Sequence, residues 1–465
     1  MKNKYTIRIT EQDFNRCRTT VLSDLPKEGA AFLLAGRKVI GASEELIVRR
    51  IVDVPKSKYR IQENYHLDIS PKAINGLISL CERNNLGVIL CHSHPTDSSY
   101  SPSDDHGEKR IAESIWKNIP NVPVGSLLIS PTKVRARIWK PKDGYKPVSS
   151  VTILGRHIRK IFLNGRDHKT NTPSDIYDRQ ILAFGNKGQA ILSNAKIAIV
   201  GLGGTGSPVA EQLVRMGVKD IVLIDPDVFD PSNITRVYGS TYEDGYKRFL
   251  HTYRLRKKKI PKVELMSKHL KKINPEIYIQ PIRDSVVKTD AAKLLLDRDI
   301  IFCCTDEHWG RSIVNQIAYQ YLIPVIDMGV RIDAKDKKIH GAFGAIHILR
   351  PDKPCLWCYE FLNADRIRAE SLPEHERKSL LREGYVQDID SKAPSVISLT
   401  TSISGHAVTA FLQLMTDFMG PAGDLARLNY FIMEGTVGRG SSGIKESCVC
   451  KKVRGYGDLM GLPTL

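Results

Sequence analysis

The sequence predicts an α/β protein built from more than one folded part, and three observations carry that expectation. Lys196-Ile197-Ala198-Ile199-Val200 runs into the glycine turn Gly201-Leu202-Gly203-Gly204-Thr205-Gly206, with the helical apolar pattern Ala210, Leu213, Val214 behind it. Strand, tight turn and helix in that order make a phosphate-binding unit, because the glycines allow close approach and the helix start supplies N–H donors. Much earlier, the apolar run at 86–91 delivers His92-Ser93-His94-Pro95 at its end. Between the two lie breaker-rich segments at 140–147 and 164–173, which mark a boundary.

Composition narrows the class. A chain of 465 residues exceeds one ordinary core, and 42% hydrophobic with 26% charged residues suits a soluble globular protein. No apolar run is long enough to span a bilayer, and Met1-Lys2-Asn3-Lys4 lacks the apolar core of a signal peptide, so a cytoplasmic location and no membrane partner are expected. The nine cysteines include two close pairs, which fits metal-binding thiols in a reducing compartment. The net charge of +18 suits nucleotides or an acidic protein as well as nucleic acid. Its densest run, Arg254-Leu255-Arg256-Lys257-Lys258-Lys259, has no aromatic interleaving. It reads as a solvated face, and nucleic acid is not the expected partner.

In the N-terminal third, residues 5–9 alternate like an edge strand and residues 30–36 read as a buried strand ending in a turn, with Glu28 just before it. His92 and His94, two apart on an extended segment, share one side. Ser101 and Asp104 follow. Two imidazoles and one carboxylate give a hydrolytic zinc ion three ligands and leave the fourth for water. A separate glutamate can take that water's proton, and a serine hydroxyl can bond the developing oxyanion. Glu28 with the following Gly-x-x-x-Leu-Leu-x-Gly, His92, His94, Ser101 and Asp104 resemble the JAMM/MPN metalloprotease signature. That family cleaves isopeptide or peptide bonds after the C-terminal glycine of ubiquitin and its relatives. The resemblance implies an α/β domain with a mixed sheet over 1–145, zinc on His92, His94 and Asp104, Glu28 as general base and Ser101 as oxyanion support. The interval from His94 to Ser101 is one residue shorter than usual, so Ser103 with Asp105 or His106 is a competing alignment.

Residues 136–139 read as the last strand of this part, and 146–172 as a linker in which 151–162 form a strand or helix. Neither repeats nor low-complexity tracts are present.

The remainder carries an ordered series: Tyr177-Asp178-Arg179-Gln180, the glycine turn, Asp225 closing the apolar run 221–224, Asp227, Asn233, Arg236, then Pro261-Lys262-Val263-Glu264 opening a helix. Residues 300–303 form a buried strand that leads through Cys304-Thr305 to Asp306. Open α/β sheets bind ligands at that carboxyl end, and cations with carboxylates there suit phosphates, ribose and Mg²⁺. Cys355-Leu356-Trp357-Cys358 and Cys448-Val449-Cys450 add four thiols with structural-zinc spacing.

From Tyr177 to about Cys450 the series resembles the ThiF/E1-like activating enzymes, which adenylate the C-terminal glycine of a ubiquitin-like protein with ATP. The resemblance implies a Rossmann-like doubly wound domain over 173–465. Gly201, Gly203, Gly204 and Gly206 would line the phosphate turn, and Asp225 with Asp227 would face the ribose side. Asn233, Arg236 and Lys262 would contact phosphates, and Asp306 would hold Mg²⁺. Arg179 would reach the ATP of a second protomer, which implies a homodimer. The cofactors expected are ATP, Mg²⁺ and two Zn²⁺, one catalytic and one structural. The partner expected is a ubiquitin-like protein ending in glycine, and the resemblance leaves room for an E2-like protein. Where many relatives place a reactive cysteine, residues 385–399 contain none, and Cys303 and Cys304 read as packing residues, so no thioester is expected at that position, and Cys17, Cys81 or Cys91 could act instead. The insertion between Arg236 and Lys262 could cover ATP or guide an acidic partner.

The leading expectation is a bifunctional enzyme that processes and adenylates the tail of a ubiquitin-like protein, in a bacterial conjugation or antiviral setting. Activation of a sulfur carrier for biosynthesis is one alternative. A basic nucleic-acid scaffold with vestigial sites is the other.

Overall fold

The computed structural model describes residues 4–97, 99–163, 174–249, 252–257, 259–373, 375–377 and 394–465. The chain divides into two compact units: Met1–Asp167 with Gln320–Leu322 and Val453–Gly461, and His168–Tyr319 with Ile323–Lys452 and Leu462–Leu465.

The first unit contains β1 (Lys4–Thr10), α1 (Glu11–Leu22), β2 (Ala30–Ile40), β3 (Ser43–Asp53), β4 (Tyr59–Gln62), β5 (Leu67–Ile69), α2 (Pro71–Asn84), β6 (Gly87–Ser93), α3 (Pro102–Asn118), β7 (Val124–Ile129), β8 (Val134–Lys140), β9 (Gly144–Pro147), β10 (Ser150–Leu154) and β11 (Ile158–Phe162). Nine of these strands form one mixed sheet, in the order β11-β10-β1-β3-β2-β6-β7-β8-β9. Both faces are covered, and β2 shows how. Ala31, Leu33 and Ala35 pack with Phe14, Cys17 and Val21 of α1. The alternate Ala30, Phe32 and Leu34 pack with Leu77 and Cys81 of α2 and Ala112 and Ile115 of α3. The period-2 alternation of a strand therefore feeds two apolar cores.

Four expectations change here. Residues 5–9 are not an edge strand: β1 pairs with both β10 and β3. Its polar Arg8 is tolerated inside because Glu45 of β3 pairs with it at 3.2 Å. The strand from Ala30 does not end at Gly36 but continues to Ile40. Gly36 lies against the Gly455–Tyr456 backbone, where a Cβ would come within 2.3 Å of a carbonyl oxygen. The strand at 136–139 is not the last, because β9, β10 and β11 follow it into the same sheet. Residues 144–147, 150–154 and 158–162 are thus strands of this sheet, so 151–162 takes the strand form of its two readings while 146–162 is not linker, and the compact unit runs on to Asp167.

The second unit contains α4 (Ser174–Ser193), β12 (Lys196–Val200), α5 (Gly206–Arg215), β13 (Asp220–Ile224), α6 (Tyr242–Gly245), β14 (Tyr246–Phe249), β15 (Thr252–Lys257), α7 (Lys262–Ile273), β16 (Tyr278–Ile282), α8 (Thr289–Leu294), β17 (Ile300–Cys303), α9 (His308–Gln320), β18 (Val325–Lys335), β19 (Lys338–Leu349), α10 (Ala364–Ser371), α11 (Ile397–Thr416), β20 (Arg427–Phe431) and β21 (Thr436–Gly440). An eight-stranded sheet runs β16-β13-β12-β17-β18-β19-β20-β21. Its first five strands are parallel and its last three join antiparallel. Buried on both faces, β12, β13 and β17 read as continuous apolar runs, as parallel strands do. Of the basic run, residues 254–257 lie in β15 and Lys258 falls outside the described residues, as do residues 385–393 of the cysteine-free stretch. Among the described residues no helix is long and apolar enough to cross a membrane.

Candidate metal and nucleotide sites

The first candidate site lies where β6 ends and α3 begins. His92 and His94 alternate with Ser93, so the imidazoles face one way and the serine the other. Ser93 Oγ accepts from the Gly29 N–H at 2.9 Å and donates to the Val21 carbonyl at 2.6 Å. That contact pins the segment carrying Glu28 beside the histidines. Ser101 is the N-cap of α3, in a capping box with Asp104. Its N–H and its hydroxyl both donate to Asp104 Oδ2, at 2.7 and 2.8 Å. The result is a carboxylate aimed at the imidazoles, 3.4 Å from His92 Nε2 and 3.5 Å from His94 Nε2. Glu28 Oε1 stands 3.5 Å from His94 Nε2.

The ligating atoms of His92, His94 and Asp104 lie within 4.8 Å of one another. His92 Nε2 is buried with no hydrogen-bond partner, as a nitrogen kept for a cation would be. The donor set of two imidazoles and a carboxylate fits zinc. The competing alignment is disfavoured: Asp105 pairs with Arg137, and His106 is exposed. In this structure the Ser101 hydroxyl proton goes to Asp104.

The electrostatics follow from burial and neighbours. Burial raises the Glu28 pKa against the pull of both histidines. Burial also opposes ionisation of Asp104, but the two imidazoles and the Ser101 N–H hold it far below the usual carboxylate range. Burial alone would discharge His92, yet Asp104 and Glu108 outweigh it and raise its pKa. Glu108 escaped sequence reasoning altogether.

The second candidate site is the carboxyl edge of the parallel strands. Gly201 adopts φ +90, and a Cβ there would meet the Cys304–Thr305 backbone at 2.8 Å. A Cβ on Gly206 would strike the Gly201 carbonyl at 1.9 Å. Both positions therefore require glycine. Asp225, at the end of β13, accepts from the Leu202 N–H at 2.6 Å and the Asp227 N–H at 2.9 Å, riveting the turn to the neighbouring strand. Lys262, the first residue of α7, places Nζ 2.6 Å from Asp227 and 3.8 Å from Asp225. Asn233 is buried, and its Oδ1 accepts from the Asp230 N–H at 3.1 Å. Arg236 follows, half-buried, and Asp306 is exposed just past β17. Glu307 is within electrostatic reach of both Asp306 and Asp227, so the loops after β17 and β13 converge. Arg179 is exposed on α4.

Sequence reasoning missed that α11 covers the glycine turn. Ser404 Oγ donates to the Thr205 carbonyl at 2.9 Å, and a Cβ on Gly204 would touch Thr400 at 3.3 Å. Arg311, Asp327 and His347 were missed too. They form a buried group, with Arg311 Nε 3.1 Å from Asp327 and His347 Nδ1 3.1 Å from the same carboxylate.

The paired cysteines come together as expected. Cys355 Sγ lies 3.4 Å from Cys448 Sγ, and Cys358 Sγ lies 3.8 Å from Cys450 Sγ. All four are buried and within 4.8 Å of one another, a donor set that fits zinc. Neighbouring thiols, Cys450 first, donate to Cys355 and pull its pKa down to about 5.

Residues 177–444 match the family model described as the ThiF family. That is more than half of the chain, and the chain belongs to this family. It is 26% identical to the SAMP-activating enzyme E1 of Haloferax volcanii over 40% of this chain and 62% of that one. It is 30% identical to the molybdopterin-synthase adenylyltransferase of Escherichia coli over 32% of this chain and 56% of that one. It is also 30% identical to the sulfur carrier protein ThiS adenylyltransferase of Bacillus subtilis, over 39% and 49%. The chain thus spans less than two thirds of these relatives' own length. Among solved structures, Escherichia coli MccB with ATP aligns at TM-score 0.45 and 20% identity over 60% of this chain and 75% of that one.

Proposed function

We propose that this chain adenylates the C-terminal glycine of a ubiquitin-like protein with ATP and, at the site between β6 and α3, hydrolyses the bond that follows such a tail. The observation that carries the first activity is the glycine turn clamped by Asp225, beside Lys262 and Asp306, in a chain of the ThiF family. The substrate carboxylate attacks the α-phosphate of ATP, forming an acyl-adenylate and releasing pyrophosphate. Both reactants are anionic, so cations must offset their repulsion. Lys262 and Arg236 would do so from the protein, with Asn233 fixing a phosphate oxygen. Asp306 would hold Mg²⁺, which when bound neutralises phosphate charge. In this reading Arg179 reaches the nucleotide of a second copy of the chain.

At the other site His92, His94 and Asp104 would hold zinc, which when bound supplies Lewis acidity for hydrolysis. Glu28, buried beside them, would take the proton of the attacking water and return it to the leaving amine. Two sites for one tail on one chain raise the effective concentration of the product of one near the other.

Transfer without an enzyme thioester is part of the proposal. Eight of the nine cysteines are buried, and burial raises the thiols of Cys81 and Cys304 to about 12, where little thiolate exists at neutral pH. The sulfur-carrier reading has support in the molybdopterin-synthase and ThiS relatives.

One crossed experiment tests both halves in the full chain. With a ubiquitin-like protein ending in Gly-Gly, ATP–pyrophosphate exchange should vanish in Asp306→Ala and persist in Glu28→Ala. Cleavage of a tail-extended precursor should show the reverse. Wild-type protein that exchanges no pyrophosphate with any such protein, sulfur carriers included, sinks the first activity. Tail removal that survives Glu28→Ala sinks the second.

A further inference from the structure

Glu108 lies outside every residue that carries the metalloprotease resemblance, yet it is 6% exposed and faces His92. It sits four residues after Asp104 on α3, so both carboxylates share one helix face. They bracket a single imidazole: Asp104 Oδ1 is 3.4 Å from Nε2, and Glu108 Oε1 is 4.0 Å from Nδ1.

The far side of Glu108 is fully engaged. Its Oε2 accepts from Arg137 Nε at 2.9 Å and from Trp139 Nε1 at 2.8 Å. Arg137 is itself 2% exposed and lies over the rings of Tyr100 at 3.8 Å and Tyr145 at 4.5 Å. Oε1, the oxygen turned toward His92, is buried with no hydrogen bond. An unsatisfied buried acceptor is destabilising. A donor is what that oxygen lacks, and His92 Nδ1–H is the group placed to supply it after a movement of about 1 Å.

The tautomer is the point of the arrangement. A neutral imidazole carries its proton on one nitrogen only, and a metal needs the other. Asp104 by itself would draw the proton to Nε2, the nitrogen that faces it and the proposed ion. A carboxylate on the Nδ1 side reverses that bias. Resting on the reading of His92, His94 and Asp104 as zinc ligands, we propose that Glu108 is a positioning residue for the metal. It accepts the Nδ1–H of His92 and so commits Nε2 to the ion, while Arg137 and Trp139 hold Glu108 in place.

Glu108→Gln makes a pointed test. Arg137 and Trp139 are donors and would claim the amide oxygen, leaving the amide NH₂ against His92 Nδ1. That pairing puts the imidazole proton on Nε2. Zinc affinity, measured on the full chain by competition with a chromophoric chelator, should fall about 10- to 100-fold at this site. The affinity of the cysteine set for zinc should be unchanged. An independent readout needs no variant: in zinc-loaded, ¹⁵N-histidine-labelled wild type, long-range ¹H–¹⁵N spectra should show His92 protonated at Nδ1. Unchanged zinc affinity in Glu108→Gln, or a His92 proton on Nε2 in the loaded wild type, overturns the proposal. Wild-type protein that takes up zinc only at the cysteines overturns the zinc reading itself, and the role of Glu108 with it.

Discussion

The two donor sets are built on opposite plans. In the second unit, Cys355 and Cys358 meet Cys448 and Cys450, joining segments about ninety residues apart, with four buried thiols and every position of a tetrahedron supplied by protein. In the first unit, two imidazoles and one carboxylate converge from a strand end and a helix start, with Glu28 beside them. A closed set can only hold chain segments together. A set one ligand short, flanked by a buried acid, leaves a position for water, as the proposed hydrolysis requires. Metal should therefore be worth folding free energy in the second unit and little of it in the first.

The largest effect expected from that contrast is at the cysteines. Cys358→Ser removes one thiolate and leaves three buried sulfurs without their ion. Structural zinc contributes on the order of 10 kcal/mol in small domains, so several kcal/mol of stability should be lost from the second unit. Hydrogen exchange should quicken across α9 and the 355–359 turn while β1, β3 and β6 stay protected. Uniform protection in the variant would show that the cysteines are packing residues and that the contrast is false.

Acid should probe the first unit by a different route. Glu45 is buried, with Arg8 at 3.2 Å and Lys38 at 2.5 Å. Burial alone would raise its pKa, but the two cations together hold it at about 2 against a usual 4.5. A depression of that size corresponds to about 3 kcal/mol. Because the folded value is the lower one, this stabilisation is complete above about pH 4.5, declines as the pH falls and is gone near pH 2. Exchange protection of β1 and β3 should weaken across that window, and Glu45→Gln should flatten the dependence. A pH-independent response would mean that the ion cluster contributes nothing to folding.

What the sequence disclosed follows from how local each signal is. The glycine turn, Asp225, His92-Ser93-His94 and the cysteine pairs are short patterns whose chemistry depends on spacing alone, and each was legible. The choice of Ser101 with Asp104 over Ser103 with Asp105 was also within reach, since Ser-x-x-Asp before a helix is a capping box. Glu108 was not. In sequence it is one charge in a polar helix, and only Arg137 and Trp139, delivered by β8 two strands from β6, make it a buried acceptor. Residues 151–162 left strand and helix open for a related reason: Arg159 and Lys160 break the apolar alternation of an edge pair whose partner strand, β1, is nearly the whole unit away in sequence. The parallel strands of the second unit read easily because burial on both faces leaves unbroken apolar runs.

Asp104 offers the sharpest test, because the smallest change in stability should accompany a complete change in metal content. Its Oδ2 caps α3 through Ser101, while its Oδ1 faces His92. Asp104→Asn keeps the shape and one cap acceptor, so its cost to folding should be well below that of losing a cysteine ligand. What it removes is charge at a position where two imidazoles and a cation need it. The loss of zinc affinity should exceed the 10- to 100-fold typical of outer contacts, since a ligand itself is altered. Metal analysis of the full chain should then fall from two zinc ions to one, with both units still folded. Two ions retained would remove Asp104 from the ligand set. One ion lost together with cooperative unfolding of α3 would mean that the metal supports the fold in both units, and the contrast between a closed and an open site would not stand.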